Sequence, residues 1–131
     1  MPAVPSYLLK KVYLRGSLRN SPDGFELTLR NSLAPATILG LTSLTVDGKA
    51  YASDTIWLRV GETWQTAASV TRARPQAFAL NAQVTLRVEG EPLAPGRHSL
   101  VIVIQTKEAG QLEVPAADVI GVEHRPASES T

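Results

Sequence analysis

"LTSLTVDGKAY", residues 41–51, decides how the chain is read. Ser43–Val46 reads as a strand, Asp47-Gly48 as a tight turn, and Lys49–Tyr51 as the returning strand. Both central turn residues tolerate positive φ, which favours the type I′ turn of a two-residue hairpin.

Outward from this hairpin a period of two recurs. Phe25, Leu27 and Leu29 alternate with Glu26, Thr28 and Arg30. Ile56, Leu58 and Val60 share one face, with Trp57 and Arg59 on the other. Val84, Leu86 and Val88 alternate with Thr85, Arg87 and Glu89. Such patterns describe half-buried strands with one wet face. "RHSLVIVIQT", residues 97–106, differs: His98, Leu100, Ile102 and Ile104 line one face, and Val101 and Val103 the other. Apolar residues on both faces mark a central strand.

Pro22-Asp23-Gly24 and Pro95-Gly96 punctuate these runs. Short strands separated by turns predict an all-β fold, an antiparallel sandwich in a single domain. The expected division is an N-terminal arm over 1–10, the sandwich over 11–122 and a flexible tail over 123–131. The least regular segment, "TWQTAASVTRARPQAFALN", leaves room for a short helix or a long loop, and Pro75 would end any helix arriving there.

The chain has 131 residues, 44% of them apolar, enough for an unaided core. Thirteen basic residues balance twelve acidic ones, so the totals show no footprint for nucleic acid or an anionic membrane. There is no cysteine, which excludes disulfides, thiolate metal sites and thiol catalysis. The N-terminus lacks the apolar core of a signal peptide. The longest apolar run, Leu100–Ile104, is far short of the roughly 20 residues a membrane helix needs. A soluble, cytoplasmic protein is expected.

Catalytic chemistry is sparse. No zinc-protease, phosphate-loop, nucleophile-elbow or dinucleotide motif occurs. His98 reads as a strand-end imidazole meeting backbone or water, and His124 as a solvated tail residue. Asp23 and Asp47 fall in turns, Glu26 and Glu89 on wet strand faces. No metal ligands cluster, so no cofactor is expected in this chain. The aromatic residues are more telling. Trp57 and Arg59 share a polar strand face, a pairing enriched at the centres of protein interfaces. Trp64 follows the turn at Gly61-Glu62, and Arg72 and Arg74 form a small basic loop. Exposed tryptophan equally suits stacking on a sugar ring, so a carbohydrate-binding sandwich is the alternative expectation.

The order "LRNSPDGFELTLRNS", "LGLTSLTVDGKAY", "SDTIWLRVGETWQT" and "VTLRVEGEPLAPGRHSLVIVIQT" resembles the small β subunit of bacterial C-glycoside deglycosidases, over about residues 11–106. That resemblance implies a β-sandwich that catalyses nothing alone. Its partner would be a larger, sugar-isomerase-like barrel α subunit holding a divalent metal, manganese by expectation. The αβ heteromer would cleave the carbon–carbon bond between a 3-oxo-sugar and an aromatic aglycone. Phe78 and Asn81 stand near places where that family has a tryptophan and an acidic residue. The expected partner interface is therefore Trp57, Arg59, Trp64, Arg72, Arg74 and Phe78.

Overall fold

In a computed structural model, residues 5–121 are described. The expected tail at 123–131, with His124, lies outside them. The described residues form ten strands: β1 (Arg19–Ser21), β2 (Gly24–Arg30), β3 (Ala36–Val46), β4 (Lys49–Tyr51), β5 (Ile56–Val60), β6 (Thr63–Thr66), β7 (Gln76–Phe78), β8 (Gln83–Glu89), β9 (Gly96–Thr106) and β10 (Gly110–Ile120). One sheet has the order β1-β2-β8-β5-β6. The other runs β10-β9-β3-β4, with β7 also paired to β3. Every pairing is antiparallel. The expected sandwich is what forms.

The period-two runs supply the core. Phe25, Leu27 and Leu29 of β2, Ile56 and Leu58 of β5, and Val84, Leu86 and Val88 of β8 are buried. They join one cluster with Leu44, Leu100, Ile102 and Val114 from the second sheet. Burying each such side chain stabilises the fold by about 1.5–3 kcal/mol. β9 lies between β10 and β3, and of its second-face residues Val103 is buried and Val101 partly so.

The hairpin that opened the reading closes β3 onto β4, with Asp47 at φ 52° and Gly48 at φ 86°. Upstream, β3 is irregular: its register against β9 shifts between Ile38 and Gly40 and again between Leu41 and Ser43. Bulges insert extra residues, so the buried positions fall at Ile38, Leu41, Leu44 and Val46 rather than at every second residue. The irregular segment after Trp64 becomes a 3-10 turn, Ala67–Ser69, followed by β7.

β10 is the edge of its sheet, and Pro115 sits inside it. Proline has no N–H to offer a ladder, so an edge strand is where it is tolerated. Before the sandwich, a short helix α1 (Ser6–Leu9) and a 3-10 turn (Lys10–Val12) lie against β10, burying Leu9 and Val12. Among the described residues no helix is long and apolar enough to cross a membrane.

Candidate interaction surface

The outer face of the first sheet follows from its register. Arg19 pairs with Glu26, Glu26 with Arg87, and Arg87 with Trp57. In the next row Thr28 pairs with Thr85, Thr85 with Arg59, and Arg59 with Trp64. Directly opposed residues share a face, so three arginines, one carboxylate and two indoles share this face across five strands.

Trp64, on the edge strand β6, draws two of these arginines together. The Arg87 guanidinium lies 4.4 Å from its ring centroid and the Arg59 guanidinium 5.2 Å away. Both distances fall within cation–π range. Arg87 also donates from Nε to Glu26 Oε2 at 2.6 Å, while Arg19 Nη2 reaches Glu26 Oε1 at 2.8 Å. The Glu26 side chain is 5% exposed, against 70% for Arg19 and 43% for Arg87. Burial alone would raise the Glu26 carboxyl. Hydrogen bonds from Arg19 and Arg87 outweigh it and hold the group below the ordinary glutamate value. Trp57 donates its indole N–H to Glu89 Oε2 at 3.2 Å.

The structure thus brings Trp57, Arg59 and Trp64 onto one surface. Arg72 and Arg74 are exposed on the loop before β7, where the Thr71 and Arg74 backbones bond to each other. The described ion pairs and cation–ring contacts connect neither arginine to the tryptophans. Phe78 lies in the core at 2% exposure and walls an apolar cavity of about 110 Å³ with Leu33 and Leu112. A ring so placed offers no surface to a partner. Glu26, read as a wet-face residue, is buried beneath its two arginines. Arg19, Glu26 and Arg87 complete the array. The outward positions of Glu26 and Arg87 were visible in the alternation, Arg19 was not singled out, and only the register shows that the three meet.

The other side-chain constellation joins two turns. His98 Nδ1 lies 2.6 Å from Asp47 Oδ2, and its Nε2 lies 2.7 Å from the Ala94 carbonyl. Asp47 Oδ1 accepts the Ser99 N–H at 2.8 Å. Both ring nitrogens face acceptors, so the charged imidazolium fits the site. The Ala94 carbonyl and the Asp47 carboxylate accordingly raise the His98 pKa above its ordinary value. No group of three or more His, Asp or Glu side chains able to hold a metal occurs among the described residues.

These features define an antiparallel β-sandwich domain with an arginine–tryptophan cluster on the outer face of one sheet. Residues 8–121 match the family model described as the hydroxymethylglutaryl-CoA reductase N-terminal domain. The match spans most of the chain, which therefore belongs to that family. No curated protein matches the sequence.

This membership overturns the resemblance to the deglycosidase β subunit, and with it the expected carbon–carbon lyase function. Nor does it support the carbohydrate-binding alternative. The physical reason lies in the motifs that suggested the resemblance. Asp47-Gly48 supplies the positive φ of a tight hairpin. Gly24 sits where any Cβ would strike the Val88 carbonyl oxygen. His98, in "LAPGRH", ties its own turn to Asp47. These are requirements of the sandwich and carry no information about a partner or a substrate.

Proposed function

We propose that this chain is a recognition module of a hydroxymethylglutaryl-CoA reductase, presenting its arginine–tryptophan sheet face to a catalytic polypeptide. The family supports the reductase setting. The observation that carries the recognition role is Trp64, half-buried on the outer sheet face with the Arg59 and Arg87 guanidinium groups both within cation–π range of its ring. Tryptophan and arginine are the side chains most enriched among interface hot spots. Here each restricts the other before any partner arrives, so little side-chain entropy is left to lose on binding.

The test is sedimentation velocity of the full chain mixed with the catalytic reductase polypeptide of the same organism. A complex is expected, and Trp64→Ala should weaken it by about 30-fold, the effect of a hot spot worth about 2 kcal/mol. Two results would reject the proposal. One is a folded chain that forms no complex at about 0.1 mM, where even weak pairs are populated. The other is a complex indifferent to both Trp64→Ala and Arg59→Ala.

A further inference from the structure

Charge is distributed unevenly in a way the totals conceal. A cleft of about 660 Å³ opens between the chain at residues 10–15 and β10. Lys10, Lys11, Arg15 and Arg97 line it, and among the described residues no Asp or Glu does. All four are exposed, and none takes part in the ion pairs among the described residues. The whole chain carries a formal charge of only +1. With these four set aside, the remainder sums to −3, so the cleft concentrates positive charge on a molecule that is otherwise acidic.

The walls are built rather than incidental. Tyr13 and residues 115–117 form the less polar part of the lining. Tyr13 donates its hydroxyl to Asp118 Oδ2 at 2.5 Å. The same oxygen accepts the Gly16 N–H at 2.9 Å and the Leu18 N–H at 3.3 Å, and Oδ1 accepts the Val119 N–H. Asp118 therefore staples the 13–18 segment to β10 and fixes the wall, its oxygens committed to these donors. The segment carrying Lys10, Lys11 and Arg15 is thereby held across from Arg97 of β9.

We propose that this cleft binds a small molecule carrying two or more phosphate groups. Four like charges around one concavity repel one another, and a ligand of comparable opposite charge relieves that repulsion. A concave, single-sign surface also focuses the field and raises the local concentration of anions. Arginine suits bidentate phosphate contacts, while lysine supplies mobile point charge. The volume lies within the usual range for small-molecule sites. The cleft belongs to the second sheet, away from Trp64, so its ligand binding does not depend on the partner proposed above.

The experiment titrates the full chain with inorganic pyrophosphate at low ionic strength, by calorimetry and by amide chemical-shift mapping, with orthophosphate for comparison. Pyrophosphate is expected to shift residues 10–15, 97 and 115–117, and to bind at least about tenfold more tightly than orthophosphate. Arg15→Ala and Arg97→Ala should each weaken it about tenfold, the lower end for a charge-assisted hydrogen bond, with unchanged melting temperature. Lys107→Ala, outside the cleft, should bind as the parent does. An intact spectrum unmoved by pyrophosphate would overturn the assignment, as would equal weakening in Lys107→Ala. Tighter binding of a DNA duplex or of phosphatidylserine vesicles through the same four residues would overturn it too, in favour of a macromolecular or lipid surface.

Discussion

Gly24→Ala is the sharpest test of the packing argument. A Cβ at Gly24 would lie 1.9 Å from the Val88 carbonyl oxygen and 3.0 Å from the Gly90 nitrogen. Ordinary contact begins near 3.4 Å, so the shortfall is about 1.5 Å. Both obstructing atoms are backbone, and no rotamer change relieves them. β2 and β8 would have to part at their Gly24–Glu89 pairing, where the Gly90 N–H also bonds the Asp23 carbonyl at 2.9 Å. Overpacking of this kind costs about 3 kcal/mol, the upper end of its usual range. For a domain of this size that is a fall of about 12 °C in melting temperature, at roughly 4 °C per kcal/mol. Thermal denaturation followed by circular dichroism measures it. Gly16→Ala is the control: φ is 85° there but nothing lies within 4 Å, so about 1 kcal/mol of backbone strain is the expected cost. A Gly24→Ala protein melting within about 3 °C of the parent would refute the reasoning.

Other consequences follow from the hydrogen bonding. The raised His98 pKa means that its stabilisation is complete below its unfolded value of 6.5 and is lost as pH rises through the folded value. Asp47, lowered by the Ser99 N–H and by His98, contributes above its unfolded 3.8 and is lost as pH falls through its folded value. The clamp is therefore strongest between about pH 4 and 6.5. The parent should lose melting temperature from pH 6 to pH 9 more steeply than His98→Gln does, and parallel curves would count against the imidazolium. Glu26→Gln leaves two partly exposed arginines free to turn to water, so a modest loss of about 1–2 kcal/mol is expected in urea denaturation. Asn31, 4% exposed, donates its side-chain N–H groups to the Ala34 and Phe78 carbonyls at 2.7 Å and accepts the Leu33 and Ala34 N–H groups. Asn31→Asp turns an acceptor toward two carbonyls and should cost about 3 kcal/mol or more, also read in urea.

Legibility in the sequence tracks how strictly each segment obeys the period of two. β2, β5, β8 and β9 obey it and were readable, as was the hairpin at Asp47-Gly48, whose residue types match its backbone angles. The first half of β3 was not, because two bulges displace its buried side chains from alternation. β10 was hidden by Pro115 and by Asp118, which pairs with His98 where an apolar residue would be expected. A proline is admissible only because the strand is an edge, and the carboxylate only because Tyr13, Gly16 and Leu18 satisfy it. Neither condition is local. The same holds for the surfaces: Trp57, Arg59 and Trp64 were visible as candidates, but Arg87 and Glu26 join them only through register. Lys10, Lys11, Arg15 and Arg97 meet only because α1 and the turn after it lie against β10.

A short motif can report topology rather than family. "LTVDG" and "LAPGRH" lie about 50 residues apart and looked like independent clues. In the structure they are the two halves of one clamp. Asp47 needs a positive-φ position to turn its carboxylate toward β9, and it accepts both the Ser99 N–H and the His98 ring. His98 in turn needs the Pro95-Gly96 corner, which brings the Ala94 carbonyl to its other nitrogen. Once a hairpin turn and a β9 entrance sit side by side, the two motifs constrain each other, and any sandwich with this juxtaposition gains from them alike. Their joint occurrence is therefore evidence of topology. Residues free of such demands, such as Trp64 on an open face or Arg15 and Arg97 around a cleft, are where function must be sought, because no requirement of the fold explains them.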